Sequence, residues 1–324
     1  MTNPVVPTGP DTWRLDTGLY RSGHTACYLL HAKGELAFID CGASNSVPGL
    51  LRAIETLGFH PRQVRWILPT HVHLDHAGGA GRLLAACPEA VLAVHHRGLP
   101  HLVDPGKLQQ GARAVYGEAA FERMFGTLTP APQARCRALR QGDRLPLGDG
   151  ELHFIETPGH ANHHGCFFHP PSGDLFTGDA FGLRYPELDH RGHPFLLATT
   201  TPVAFDPDAW RDSLDRMLAP APTRACLTHF GPLDHPERHR NALEESLEAH
   251  ERIALDEERT GSPEGREERL EAALRRHLAR LWIGHAPDRP AEEALSLLEE
   301  DIRLNAQGLA VWLARRARRR EKRL

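Results

Sequence analysis

Four potential metal ligands lie within six residues in the stretch THVHLDHAGG, directly after the apolar run at 66–68. They are His71, His73, Asp75 and His76. In an extended segment His71 and His73 point to the same side, whereas Asp75 and His76 lie beyond the point where the chain must turn. Imidazole and carboxylate groups are ligands that zinc and neighbouring divalent ions accept. The stretch can therefore serve two metal ions if other segments complete the coordination.

Three further His or Asp residues stand at the ends of other apolar runs. His160 lies in TPGHANHHG after ELHFIE, Asp179 lies in TGD after DLF, and His229 lies in THFG after RACL. Each comes where a predicted strand meets a turn that contains glycine. We expect these residues to project into one cleft at a rim of the sheets, because so many polar strand ends would be unusual in a purely structural core.

The elements that must hold these residues can be predicted from hydrophobic patterning. Strands are predicted at 25–30, 35–40, 65–70, 90–95, 151–157, 165–169, 174–179 and 224–229. Helices are predicted at 47–57, 77–86 and 206–218, and one inserted helix or a pair of helices at 107–125. Strands come first in hairpins and later alternate with helices. This order favours an α/β fold of two mixed sheets with helices packed outside them.

The composition changes near residue 236, after which Glu, Arg, Ala and Leu dominate. Helical periodicity runs through 242–258, 264–281 and 291–317. We therefore predict a catalytic domain over residues 1–235 and a helical C-terminal appendage over residues 236–324. The basic tail RRARRREKRL is interpreted as a solvated helix end. The alternative is an interaction patch, and the basic residues of the appendage could also receive an acidic thiol carrier such as glutathione or coenzyme A.

The motifs THVHLDHAGG, TPGH, TGD and THFG occur in the order and approximate spacing of the metallo-β-lactamase superfamily, which the chain resembles from about residue 15 to about residue 235. The resemblance implies an αββα sandwich with a two-metal site at its edge. It also implies two divalent metal ions as cofactors. Zinc is the first expectation for their identity, and iron or manganese are alternatives.

The resemblance also assigns the ligands. It implies that the first ion is held by His71, His73 and His160, that the second is held by Asp75, His76 and His229, and that Asp179 bridges both. Asp75 and Asp179 are predicted to be catalytic residues as well as ligands, because they hold the ions that would carry out the reaction. The expected nucleophile is a hydroxide held between the two ions, so that no Ser or Cys nucleophile is needed.

The superfamily hosts many reactions, so the fold restricts the mechanism more than the substrate. Our first hypothesis is hydrolysis of an ester-type bond in a small molecule, either a thioester, as in glyoxalase II-like enzymes, or a lactone, as in metal-dependent lactonases. The second is a phosphodiesterase or nuclease. The third is a flavodiiron-like redox protein or a metal-binding protein without turnover. Flavodiiron proteins have Glu where this chain has His73, which places the redox hypothesis below the hydrolase.

Other residues near the motifs have weaker assignments. Tyr185, on the loop after the bridging carboxylate, is predicted to enter the cleft and stabilise an oxyanion, and Arg184 is a second candidate for this role. His164 is predicted to support the metal ligands from behind. His24 and His163 are interpreted as ordinary loop and rim residues.

The composition, with 40% hydrophobic and 25% charged residues, is typical of a globular protein. The formal net charge of -4 does not favour a nucleic-acid partner. No apolar run approaches the roughly 18 residues of a membrane helix, and the N-terminus lacks a signal pattern, so we expect a cytoplasmic protein with no membrane partner. The six cysteines occur singly and are predicted to be reduced and buried. The helical tail offers a surface for a homodimer.

Overall fold

Two mixed sheets pack face to face in the computed structural model, which describes residues 5–200 and 202–321. The seven-stranded first sheet has the order β1-β2-β3-β4-β5-β6-β7, and the six-stranded second sheet has the order β13-β12-β11-β10-β9-β8. The strands are β1 (Val5–Gly9), β2 (Thr12–Asp16), β3 (Ala26–Ala32), β4 (Glu35–Ile39), β5 (Val64–Leu68), β6 (Val91–His95), β7 (Cys136–Leu139), β8 (Arg144–Leu147), β9 (Gly150–Glu156), β10 (Gly165–His169), β11 (Asp174–Gly178), β12 (Arg224–Leu227) and β13 (Gly231–Asp234).

Helices cover the outer faces of both sheets. They are α1 (Val47–Thr56), α2 (Leu74–Ala77), α3 (Ala80–Ala86), α4 (Leu99–Val103), α5 (Gly106–Tyr116), α6 (Glu118–Met124), α7 (Pro207–Leu218), α8 (Arg240–Thr260), α9 (Arg266–His285), α10 (Ala291–Leu297) and α11 (Glu299–Glu321). This arrangement confirms the predicted α/β class with two mixed sheets and outer helices. No helix in the described part of the chain combines the length and apolarity needed to cross a membrane.

Side chains of β3 alternate between two apolar cores, as the two-residue period of a strand requires. Ala26, Tyr28 and Leu30 belong to the core that joins the two sheets. Cys27 and Leu29 belong to the core on the other side, where α1 and α3 pack. The first sheet is therefore buried on both faces, and its strand ends have little freedom to move.

The predicted strands and helices of the first 230 residues are confirmed within a few residues, with two kinds of exception. Strands β1, β2, β7, β8 and β13 and helix α4 are not predicted, because each is only four or five residues long and most have a partly exposed side-chain pattern with no continuous apolar run. The single helix predicted at 77–86 is wrong. The chain forms α2 and α3 with Gly78 and Gly79 between them, and a Cβ on Gly79 would lie 2.8 Å from the Cys41 carbonyl oxygen.

The C-terminal helices pack on the second sheet and share its apolar core. In α9 the buried residues recur every fourth position, at Leu270, Leu274, Leu278 and Trp282, so that one face of the helix enters this core. The single helix predicted at 291–317 is wrong, because the chain bends at buried Leu298 without a Gly or Pro signal. The domain division at 235/236 stays a prediction.

The basic tail continues α11 as far as Glu321. Within it, the Arg316 and Arg320 guanidinium groups lie 3.7 Å and 3.5 Å from the Glu258 carboxylate of α8. The last three residues of the predicted tail, 322–324, lie outside the described residues. Part of the tail's charge is thus paired within the helical segment.

Replacing Leu278 with alanine should destabilise the protein by about 2–5 kcal/mol, because this side chain is 3% exposed and its loss leaves a cavity in the shared core. Leu281→Ala is the matched control in the same helix, since Leu281 is 40% exposed. The control should change stability by about 0.5 kcal/mol or less. Urea unfolding followed by circular dichroism measures both. Equal midpoints for the two variants would contradict the packing of α9 against the sheet.

Candidate metal centre

The predicted ligands meet where strands of both sheets end. His71 and His73 follow β5, His160 follows β9, and Asp179 and His229 follow the parallel neighbours β11 and β12. Parallel strands end at the same edge of a sheet, which is where ligand-binding residues of α/β folds gather. The first ligand set is His71, His73, His160 and Asp179, and the second ligand set is Asp75, His76 and His229.

The donor atoms of the first ligand set converge on one point. His160 Nε2 lies 3.1 Å from His73 Nδ1 and 3.3 Å from Asp179 Oδ2. The His71 ring is 4.4 Å from the His73 ring, measured between centroids. Ligands about 2.0–2.2 Å from a tetrahedral ion are separated by distances of this size.

The second ligand set has the same spacing. Asp75 Oδ2 lies 3.4 Å from His76 Nε2 and 3.3 Å from His229 Nε2. Asp179 Oδ1 lies 3.1 Å from His76 Nε2, and its other oxygen faces the first ligand set. One carboxylate therefore presents one oxygen to each set.

Hydrogen bonds on the far side of three imidazole rings orient their inner nitrogens. His76 Nδ1–H donates to Asp40 Oδ2, and His229 Nδ1–H donates to the His24 carbonyl. His160 Nδ1–H donates to the Thr199 carbonyl. With the proton on Nδ1, each Nε2 turns a lone pair towards the ligand sets.

Three of the inward atoms are buried and have no hydrogen-bond partner in the part of the chain that the structure describes. They are His71 Nε2, His76 Nε2 and Asp179 Oδ1. Buried polar atoms are ordinarily satisfied, and lone pairs that face one another at about 3 Å call for a cation between them. The residues present thus fit two divalent metal ions.

The electrostatics of the second ligand set also call for positive charge. Burial alone would lower the pKa of His76, but Asp75, Asp179 and Asp40 raise it well above its usual value. For His229, burial is likewise outweighed by Asp179 and Asp75, which raise the pKa to about 9. Protons on these imidazoles balance the carboxylates in the metal-free protein, and a bound cation would take over that role.

Asp40 is a buried supporting residue that the sequence reasoning did not single out. It follows β4, and its carboxylate accepts hydrogen bonds from His76 Nδ1 at 2.8 Å, the Thr70 backbone N–H at 2.7 Å and the Thr228 hydroxyl at 2.8 Å. It joins three strand ends. The only signal in the sequence was an acidic residue before Cys-Gly at the end of an apolar run.

His164 lies behind the bridging carboxylate, as expected for a supporting residue. Its Nε2 accepts the backbone N–H of Asp179 at 3.2 Å, and its Nδ1 is 2.8 Å from the Thr157 hydroxyl. Burial and the nearby His160 lower the pKa of His164 well below its usual value. A neutral ring that accepts at Nε2 holds the turn that carries Asp179.

Tyr185 and Arg184 do not line the cavity in front of the metal centre. Tyr185 is buried, and its hydroxyl donates to Asp301 Oδ1 at 3.2 Å. The Arg184 guanidinium binds Asp189 and the Pro232 carbonyl. The predicted oxyanion role of Tyr185 stays a prediction, and its position favours support of Asp301, which does line the cavity.

His24 and His163 lie closer to the site than the sequence reasoning indicated. Both line the cavity. Burial and the neighbouring His229 lower the pKa of His24 to about 3, so that its ring is neutral at physiological pH. Neither position carried a sequence signal, because each lies in a loop whose path depends on the packing of other segments.

The cavity has a volume of about 520 Å³ and ends at the ligand residues Asp75, Asp179 and His229. Its walls include side chains of α5 and α11. The C-terminal helices therefore contribute directly to the space in which a substrate would meet the metal centre.

A third group of possible ligands, His95, His96 and Glu156, does not fit a metal ion as well. His95 Nδ1 accepts the backbone N–H of Arg97 at 3.1 Å, which places the ring proton on Nε2. That nitrogen lies 3.3 Å from Glu156 Oε1 and can donate to it. The His95 ring is thus satisfied by hydrogen bonds.

The family model of the metallo-beta-lactamase superfamily matches residues 20–229. The uncharacterized protein YobT of Bacillus subtilis is 29% identical over 158 residues, which make up 49% of this chain and 62% of YobT. The N-acyl homoserine lactonase AttM of Rhizobium johnstonii is 30% identical, with coverage of 47% and 54%. A hydroxyacylglutathione hydrolase of Cereibacter sphaeroides is 32% identical, with coverage of 47% and 46%. The chain therefore aligns with only about half of these two enzymes.

Two solved structures resemble the whole chain. A metallo-beta-lactamase family protein of Thermus thermophilus has a TM-score of 0.63 at 20% identity and covers 96% of this chain and 95% of its own. An archaeal metallo-beta-lactamase superfamily protein of Sulfolobus tokodaii has a TM-score of 0.58 at 24% identity, with coverage of 89% and 93%. At these identities the two likenesses show the fold.

Replacing Asp40 with asparagine should weaken metal binding at the second ligand set by about 10–100-fold. The amide has only one oxygen to accept hydrogen bonds, and its N–H₂ group would face N–H and O–H donors, so it would not orient His76 as the carboxylate does. Competition with a chromophoric chelator measures the affinity, and elemental analysis gives the metal content.

Asp174→Asn is the matched control for this experiment. Asp174 is equally buried but lies at the opposite end of β11, where it accepts from Arg224 Nε at 2.7 Å. This control should lower stability without changing metal affinity. Equal losses of metal in both variants would show that Asp40 acts only through the fold.

Proposed function

Because the chain belongs to the metallo-β-lactamase superfamily, we propose that it is a metal-dependent hydrolase that cleaves an ester-type carbonyl bond, in a thioester or a lactone, of a small-molecule substrate. The observation that carries the proposal is the Asp179 carboxylate, which turns one oxygen to each of two ligand sets at the end of a cavity. The names of two relatives, a lactonase and a thioester hydrolase, support the same class of bond.

Two divalent ions bound at such a centre, with zinc as the first choice, would supply a nucleophile from water at neutral pH and polarise the attacked carbonyl oxygen. The protein's part is to hold the donors in place. Asp179 fixes the spacing between the two sets, and Asp75 completes the second one. Asp40 and the Thr199 carbonyl orient His76 and His160 from behind.

The cavity positions the substrate and limits its contact with water. Val72 and Leu74 interleave with the ligands of THVHLDHAGG and line the cavity, as does Ala161 beside His160. An apolar surround lowers the local dielectric constant, which strengthens the pull of buried charges on a carbonyl group. The cavity beside these apolar side chains has room for a carbonyl group next to the ligand sets.

His71→Ala and Asp179→Ala should each lower kcat/KM on a panel of thioesters and lactones by about a hundredfold or more, the scale of losing one electrostatic catalytic group. Both residues are buried and are predicted ligands, so metal content should fall in parallel. His193→Ala, an exposed histidine outside both ligand sets, is the control and should keep wild-type rates.

The panel also separates the alternatives. It includes bis-p-nitrophenyl phosphate for the phosphodiesterase hypothesis, and metal analysis accompanies each assay. Full turnover of acyl substrates by His71→Ala and Asp179→Ala would refute the metal-dependent mechanism. Cleavage of the phosphodiester with no acyl substrate turned over would replace the proposal with the second hypothesis.

A further inference from the structure

We propose that the substrate is an uncharged ester, thioester or lactone whose apolar acyl group lies between α5 and α11, with Gly111 setting the space available to it. This inference rests on the proposed function and specifies its substrate class. It is carried by the cavity walls, by the position of exposed apolar side chains and by the charges that surround them.

The walls of the cavity away from the metal centre are largely apolar. Helix α5 contributes Leu108, Ala112 and Val115, α11 contributes Leu304, and the loop after β11 contributes Leu183. These side chains come from segments far apart in the sequence, so the space exists only because the fold places α11 opposite α5. An acyl chain placed there would keep its carbonyl end near Asp179.

Large apolar side chains are also exposed at this cavity. Five large hydrophobic residues are exposed in the described part of the chain, and three of them line the cavity. These three are Tyr20, which is 41% exposed, Val115, which is 47% exposed, and Val203, which is 68% exposed. Apolar groups that gather around one opening mark a site for an apolar ligand, whereas scattered ones would not. Contact with an acyl chain would remove this surface from water.

The charges of the lining do not favour a polyanionic carrier. Among the described residues that line the cavity, Lys107 is the only Lys or Arg, while α11 contributes Glu300 and Asp301. Glu300 is paired with Arg303 at 3.1 Å, and Asp301 accepts the Tyr185 hydroxyl. A glutathione thioester carries two carboxylates against one ammonium group, and coenzyme A carries several phosphate charges, so either would bring net negative charge towards Glu300 and Asp301. Burial raises the pKa of Asp301 to about 7, so this repulsion is strongest above neutral pH.

The basic tail does not change this balance within the cavity. Arg315 reaches the rim, where its guanidinium donates to the Val203 carbonyl at 2.9 Å, but it is not among the lining residues. The cavity therefore does not favour the predicted binding of an acidic thiol carrier by basic residues of the appendage. An uncharged leaving group would not be repelled by the carboxylates of α11.

Gly111 is the position at which α5 leaves space. It lines the cavity, and a Cβ built on it would meet no heavy atom within 4 Å. A larger side chain there can enter the cavity without a clash with the protein and without the strain of a left-handed backbone. Gly284 in α9 is a matched control, because a Cβ there also meets nothing within 4 Å and the residue is exposed.

The test compares thioesters of one leaving group and two acyl lengths, acetyl and decanoyl, on N-acetylcysteamine. For the wild-type metal-loaded enzyme, kcat/KM should be higher for decanoyl. Gly111→Phe should lower the decanoyl-to-acetyl ratio of kcat/KM by about tenfold or more, since losing the burial of two methylene groups already has this effect. Gly284→Phe should keep the wild-type ratio. An unchanged ratio in Gly111→Phe would overturn the acyl site.

The charge of the leaving group is tested with the same decanoyl group on N-acetylcysteamine and on glutathione. The uncharged thioester should have a kcat/KM at least about fivefold higher, the scale of one like-charge contact in water. Asp301→Asn should narrow this difference. A preference of the wild-type enzyme for the glutathione thioester would overturn the uncharged-substrate inference while leaving the hydrolase function intact.

A binding measurement separates failure of the inference from failure of the proposed function. The uncharged apolar probe N-phenyl-1-naphthylamine should bind the wild type and Gly284→Phe with increased fluorescence, and Gly111→Phe should bind it at least about tenfold more weakly. Binding with no turnover of any acyl substrate would refute the hydrolase and support the apolar site. Turnover with equal probe binding in all three proteins would refute the site and leave the hydrolase.

Discussion

The buried carboxylate of Asp179 is the constraint on which the metal centre depends. Its two oxygens face two groups of imidazole nitrogens at hydrogen-bond distance, and three of the atoms at this centre have no hydrogen-bond partner in the described part of the chain. Burying so many lone pairs is unfavourable unless cations or protons lie between them. Much of the surrounding structure serves to hold these donors close together against their mutual repulsion and against the cost of removing them from water.

The two-sheet architecture provides that restraint. The ligands follow strands that are hydrogen-bonded to neighbours and packed on apolar cores, so their positions change little without disrupting a sheet. Asp40 extends the restraint across strands, since it ties the end of β4 to Thr70 after β5 and to Thr228 after β12. His164 does the same for the turn that carries Asp179. These contacts orient the ligands and leave their inner atoms open.

The C-terminal helices turn a metal-binding edge into a cavity. Through Leu304 and Asp301, α11 faces α5 across a space that ends at the ligand sets. The relatives named N-acyl homoserine lactonase and hydroxyacylglutathione hydrolase align with this chain over only about half their own length, so their names do not give its substrate. In this protein the walls combine exposed apolar side chains with more negative than positive groups.

The sequence by itself determined the fold class and identified the His and Asp residues that gather at one edge of the sheets, because such residues at the ends of apolar runs are a local signal and the two-residue period of the strands is readable from side chains. It also predicted the main strands and most helices. It could not locate Asp40, His24 or His163, nor place Tyr185 behind the cavity, because these positions depend on which strand ends and loops become neighbours. The short strands β1, β2, β7, β8 and β13, helix α4 and the helix breaks at Gly78 and Leu298 were missed for a related reason, since short or partly exposed elements and packed breaks leave little trace in hydrophobic periodicity. Only the tertiary structure placed α5 and α11 on facing walls of one cavity, and this placement, which brings residues almost two hundred positions apart to one space, decides the size and charge of the cavity.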